Sequence, residues 1–268
     1  MTTVALPGRR RGAIAVDTWW MTARRLKVFL AQPAYLIITL IQPVIWLFLF
    51  GNLFRRVVEL PGFGAASYLD YLVPGVVVMS AVSTNMWAGM GMLEEIERGT
   101  LNRFLTTPVR RGAIVNATVV EQAVGTVVQS VIVIALGWLA GADYPGGFGG
   151  VLVLTAAAVL LGTVFSAFSN VIGMLVRQRE SIIGINTFLL LPLTFLSSVF
   201  MVADLMPEWM RTVAGVNPVE WAVVAGREAL AADPDWGTVL SRGGWLLALA
   251  TAAVLLSIRT FRSYQRSV

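Results

Sequence analysis

The chain has 268 residues, 57% hydrophobic and 13% charged, with a mean hydropathy of +0.75 and a net charge of +5. A soluble domain carries about 25% charged residues, so this composition excludes an ordinary soluble globule. The absence of cysteine and histidine excludes disulfides, thiol chemistry and the usual zinc sites.

No apolar signal-peptide core and no small-residue cleavage site occur in the first 33 residues, so the N-terminus is expected to persist. The stretch DTWWMTARRLKVFLAQP, residues 17–33, puts Trp19, Ala23, Leu26, Phe29 and Leu30 on one helical face and Arg24, Arg25 and Lys27 on the remainder. That pattern predicts a helix lying in a membrane interface, basic side toward anionic headgroups.

Long apolar blocks follow. A helix needs roughly 20 mostly apolar residues to cross a bilayer, and in lipid its backbone groups must pair internally. Residues 34–54, 71–93, 148–176 and 182–203 carry no charge, and 113–140 carries Glu121 alone. A shorter apolar block, 243–258, spans when its flanks are added, as 239–260. These predict six transmembrane helices in an all-α integral membrane protein, with 1–268 a single domain. Gln42, Asn85, Asn170 and Asn186 lie inside the blocks and can either bond helix to helix or line a pathway. Glu121 lies about two turns from the start of its block, which favours a structural or interfacial role over a proton relay.

Two segments between the blocks are patterned. Residues 94–112, EEIERGTLNRFLTTPVRRG, gather Glu94, Glu95 and Glu97 and then Arg98, Arg103, Arg110 and Arg111. Residues 204–238 read as two short outer helices. Asn217 is placed to cap the second, Pro218 takes its first position, and Glu220 sits where a capping box needs an acid. Their apolar content predicts a pair that dips back into the bilayer; a surface cap is the alternative.

Basic residues in short loops collect on the cytoplasmic side. With the N-terminus inside, only Arg55, Arg56, Arg211, Arg227 and Arg242 of the 20 basic residues fall outside. Both termini and the 94–112 loop are then cytoplasmic. No G-x-x-x-x-G-K-[ST], H-E-x-x-H or G-x-S-x-G occurs, so the chain offers no catalytic site of those kinds. No basic run is interleaved with stacking aromatics, which argues against nucleic acid as a partner.

Three motifs share one resemblance. ERGTLNRFLTTPVRRGAIV, residues 97–115, resembles the loop between spans two and three of type-two permeases of ATP-binding-cassette exporters. YLVPGVVVMS, residues 71–80, is similar to the second-span opening of the daunorubicin-resistance and nodulation-factor branch. MPEWMRTVAGVNPVEWAVVAGREAL, residues 206–230, resembles the outer-helix signature. The resemblance implies a half-transporter that pairs with a second permease subunit and binds no cofactor itself. ATP and Mg would sit on a separate cytoplasmic ATPase subunit. It implies a multi-pass protein of the bacterial inner membrane that exports a hydrophobic or amphipathic compound, drug-like or lipid-like. A carbohydrate or glycolipid exporter of the same family is the alternative, and an ion-coupled carrier or a non-transport scaffold lies further off.

The resemblance makes 94–112 the coupling loop, with a short helix seated on the ATPase. Gly99 and Pro108 set its bends. Leu101, Phe104 and Leu105 form an apolar ridge, and Glu94, Glu97 and Arg98 carry charge of both signs. Asn85, Met86 and Trp87 on span two and Thr194 and Phe195 on span five are the expected cargo contacts. Asn217, Pro218, Glu220 and Arg227 form the expected outer gate.

Overall fold

The computed structural model describes residues 33–59, 67–97, 111–176 and 178–264, with Trp20, Thr22, Ala23 and Phe63 besides. Most of the expected interfacial helix and residues 98–110 of the expected coupling loop lie outside the described residues. Among the described residues the chain is helix and turn without a strand. Nine helices among the described residues run in the order α1 Pro33–Leu53, α2 Tyr68–Asn85, α3 Ala88–Glu97, α4 Arg111–Leu139, α5 Gly147–Val176, α6 Arg179–Phe195, α7 Glu208–Val216, α8 Pro218–Leu230 and α9 Trp236–Tyr264. Short 3₁₀ turns occupy Arg55–Glu59 and Ala203–Leu205.

Local chemistry sets several boundaries. Ser67 starts α2 by accepting the Leu69 N–H at 3.2 Å, and Asp235 starts α9 by accepting the Gly237 N–H at 2.9 Å, both ordinary N-caps. The α4–α5 turn runs through Gly141 at φ +98°, a conformation that glycine adopts without a Cβ clash. Asp70 Oδ1 accepts the Asp143 N–H at 2.9 Å and fastens that turn to the start of α2.

α5 is the hub, packed against α2, α3, α4, α8 and α9. The α2–α3 stretch is the most enclosed of the long apolar stretches: 72% of the apolar window within Tyr68–Glu94 is buried, against 17% for α9. Leu72, Val73, Val76, Val77 and Val78 of α2 meet Leu154, Ala158 and Leu161 of α5 and Val219 and Val223 of α8 in the main core. α1 packs on α2 and α4, and α6 lies on α5, α3 and α2 with Ile183, Phe188 and Leu191 exposed.

Among the described residues, four helical stretches are long and apolar enough to cross a membrane by themselves: Tyr68–Glu94, which joins α2 and α3, Ala117–Leu139, Gly147–Val176 and Trp236–Phe261. The apolar part described in α1, Ile37–Leu53, is shorter. Where a span over 182–203 is expected, the helix α6 begins at Arg179 and ends at Phe195, and the chain turns through 196–200. Its 17 residues reach roughly 25 Å, short of a hydrocarbon core of about 30 Å. The end of α3, Glu97, and the start of α6, Arg179, lie at one end of the bundle, called inner below after the orientation expected from the charges; the turn after α6 lies at the opposite end, called outer.

Candidate functional site

The outer end of α6 is where polar side chains concentrate. Leu196 leaves the helical region at φ −90° and ψ 39°, its N–H bonded back to the Pro192 carbonyl. The carbonyls stranded by that exit must find donors, because an unpaired polar group in an apolar setting costs several kcal/mol. Asn217 supplies them: its Nδ2 donates to the Leu193 and Leu196 carbonyls at 2.7 and 3.0 Å. Its Oδ1 accepts the Val219 N–H at 2.9 Å. One amide therefore ends α6 and begins α8. Glu220 does not close a capping box on Asn217, whose N–H bonds to Ala214 instead. Its Oε2 accepts the Ser198 N–H at 2.5 Å.

Two turns further along the same face of α8, Arg227 spreads its fork over the same loop. Nε donates to the Tyr71 carbonyl at 3.1 Å, Nη1 to Ser198 Oγ at 3.0 Å and Nη2 to the Val199 carbonyl at 3.0 Å. The guanidinium lies 3.5 Å from the centroid of the Tyr71 ring. From α2, the Tyr71 hydroxyl donates to the Ser198 carbonyl at 2.7 Å and the Tyr68 hydroxyl to the Phe200 carbonyl at 3.1 Å. Residues 196–200 are thus a latch whose irregular backbone is satisfied by α2 and α8. Glu220 and Arg227 also act on one another electrostatically.

A second cluster sits at mid-depth, where the chain from α2 to α3 breaks at Met86–Trp87. The Met86 carbonyl, freed by the break, accepts from Ser169 Oγ of α5 and from Asn186 Nδ2 of α6, the latter at 2.6 Å. Ser169 Oγ also accepts the Gly89 N–H at 2.9 Å. Asn85 Nδ2 donates to Thr126 Oγ1 of α4 and to the Ala81 carbonyl, both at 2.8 Å. At the inner end, Arg179 pairs with Glu97 at 2.5 Å, both about half exposed. α6 is therefore fastened to the α2–α3 chain at three depths.

The expected cargo contacts separate. Asn85, Met86 and Thr194 are buried within the protomer, whereas Trp87 and Phe195 are 43% and 50% exposed. Phe195 borders an aromatic and methionine-lined pocket of about 300 Å³, with Phe50, Phe54, Phe200, Met206 and Met210. The four expected gate residues come together: Asn217, Glu220 and Arg227 all grip the latch, and Pro218 occupies the first turn of α8. Of the expected coupling residues, Glu94 and Glu97 end α3, while Arg98, Gly99, Leu101, Phe104, Leu105 and Pro108 lie outside the described residues. Glu121 is half-buried on α4 and has interactions of its own. Tyr68, Tyr71, Ser169 and Ser198 were not anticipated. The only sequence cue for Ser169 is its place beside Asn170 in an apolar block.

Among the described residues, no cluster of acids is arranged to hold a metal ion. Residues 16–231 match the family model described as ABC-2 type transporter. The chain is similar to the daunorubicin resistance ABC transporter permease protein DrrB1 of Streptomyces coeruleorubidus, at 28% identity over 90% of this chain and 84% of that one. It is also similar to the inner membrane transport permease YadH of Escherichia coli K12, at 26% identity over 69% of this chain and 72% of that one. With the match extending over most of its length, the chain belongs to the ABC-2 type transporter family.

Proposed function

We propose that the chain is the permease subunit of an ATP-driven exporter of hydrophobic or amphipathic compounds. In this reading six segments cross the bacterial inner membrane, with α1, and α6 together with the turn 196–200, completing the set and both termini in the cytoplasm. A separate ATPase subunit carries ATP and Mg and docks on residues 94–112, and a second permease subunit completes the pathway. The observation that carries the reading is the three-point fastening of α6. Glu97, where the docking loop begins, holds the inner end of α6 through Arg179, so work done on that loop reaches α6 directly. The resistance function named for the Streptomyces relative supports a drug-like cargo. The Phe- and Met-lined pocket beside Phe195 suits such a cargo, since methionine and aromatic walls adapt to varied apolar shapes.

The outer pair α7–α8 is re-entrant in this reading. Pro218 lines the same groove as Leu249, which lies thirteen residues into α9 from Trp236, or about 20 Å at helical rise. The test is ATP-dependent accumulation of an amphipathic fluorescent dye in inverted vesicles holding the permease and its ATPase. Accumulation that needs ATP and the ATPase, and shifts between dyes in Phe195→Ala, is expected. Accumulation driven by a proton gradient without ATP would replace this reading with an ion-coupled carrier.

A further inference from the structure

An apolar groove of about 380 Å³ opens between α5, α6 and α9. Its walls are Phe165 and Phe168 of α5, Leu189 and Leu193 of α6, and Leu249 and Leu256 of α9, with Pro218 of α8 also in the lining. The wall is almost wholly hydrocarbon, so water gains no hydrogen bonds there. A bare void would forfeit the dispersion contacts that a dense filling supplies. In a bilayer the filler at hand is an acyl chain.

A charge marks one end. Ala252, which lines the groove, and Arg259 are seven residues apart on α9 and share its face. Arg259 is exposed and has no hydrogen bond or ion pair among the described residues. From Arg259 to Leu249 is ten helical residues, about 15 Å, or half of a hydrocarbon core of about 30 Å. The apolar lining and Arg259, one to two turns beyond it on α9, together cover about one leaflet, with the cation at the headgroup level.

We propose that this groove holds a resident anionic phospholipid of the leaflet on the C-terminal side. Its phosphate lies at Arg259 and one acyl chain runs along α9 to Pro218. Such a lipid fills the gap beside the sparsely packed α6 while leaving that helix free of rigid protein contacts on this face.

The test uses the full chain in nanodiscs of equimolar phosphatidylglycerol and phosphatidylcholine, followed by native mass spectrometry of the detergent-extracted protein. Wild type should retain phosphatidylglycerol over phosphatidylcholine by about fivefold, the preference expected of one arginine at an anionic surface. Arg259→Gln, at an exposed position, should bring the preference close to one while keeping a bound lipid. Ala252→Trp, which fills the groove, should strip both lipids. Leu240→Trp, at an exposed outer position on α9, should change neither. Equal retention in all four proteins overturns the site. Loss of dimer in Ala252→Trp with lipid retention unchanged also overturns it, because a second copy of the chain would then cover the groove. If Ala252→Trp does not fold, the headgroup preference of Arg259→Gln decides alone.

Discussion

Removing Arg227 tests the latch most directly. Its guanidinium makes three hydrogen bonds to the Tyr71 carbonyl, Ser198 Oγ and the Val199 carbonyl, and it stacks on Tyr71. Hydrogen bonds to charged groups contribute about 1.5–3 kcal/mol each, and a desolvated cation–π contact about 2 kcal/mol. Summing those would overshoot, because the arginine's own desolvation offsets much of the gain. Measured losses on removing one member of a buried charged set, about 3–5 kcal/mol, already include it. Arg227→Ala should therefore destabilise the protein by about 3–5 kcal/mol, chiefly by orphaning two carbonyls and leaving the buried Glu220 without its electrostatic counterpart. Arg227→Lys keeps a charge but not the planar fork, and should lose about half as much. The assay is denaturant titration of the reconstituted permease, followed by helical circular dichroism. An Arg227→Ala protein within about 0.5 kcal/mol of wild type, the range of an ordinary surface change, would refute the latch as a stabilising unit.

Three further outcomes rest on contacts elsewhere in the bundle. Glu97→Arg or Arg179→Glu alone should leave stability unchanged, since exposed pairs contribute little. Each should nonetheless uncouple ATP hydrolysis from cargo, and the swapped double variant should restore coupling. A Cβ on Gly173 would meet the Gly89 carbonyl oxygen at 2.6 Å, so Gly173→Ala should cost about 1–3 kcal/mol. Gly184, with nothing within 4 Å, should accept alanine with a gain of about 0.5–1 kcal/mol; the same titration reads both. Asp235 is held below its ordinary value by the Thr238 hydroxyl and by the Gly237 and Thr238 amides. Its contribution is present at neutral pH and lost as pH falls through that lowered value. The thermal-stability gap between wild type and Asp235→Ala should close on acidification below the ordinary carboxylate range.

The all-α character was legible because the apolar blocks force it: in lipid only a helix of that length satisfies its own backbone. The start of α8 was legible because its signal is local, an asparagine and a proline at fixed offsets. The end of α6 was not. Residues 196–203, LSSVFMVA, are as apolar as the helix before them, so hydropathy carries the span through. The helix stops because Asn217, more than twenty residues later, takes its terminal carbonyls. Arg227 misled in the opposite way. Counted as an outer loop charge, it is a partly buried fork whose partners come from α2 and the latch. Glu97 lies in the segment expected to meet a soluble partner, and within the chain it also pairs with Arg179 of another segment. Side chains that bond locally announce themselves in sequence; those that bond across the fold do not.

The three fastenings of α6 differ in strength, and the order predicts where the helix yields. The outer latch is buried and bonded by five side chains from α2 and α8. The middle contact is one amide on the Met86 carbonyl at a helix break, and the inner contact is one exposed ion pair. Exposed pairs are screened and weak, whereas buried charged networks are strongly coupled. α6 should therefore pivot on its outer end. Over roughly 25 Å of helix, a tilt of about 10° would carry the inner end about 4 Å, a typical hinge displacement. The chain contains no cysteine, so spin-label pairs can be introduced without background. A pair at Leu175 and Ile183 reports the inner end and a pair at Phe195 and Trp245 the outer end, all four exposed. On adding ATP to the assembled transporter, the inner distance distribution should shift or broaden while the outer one holds. An outer pair that moves as much as the inner would mean that the latch opens first, and that the network around Arg227 is a gate rather than a pivot.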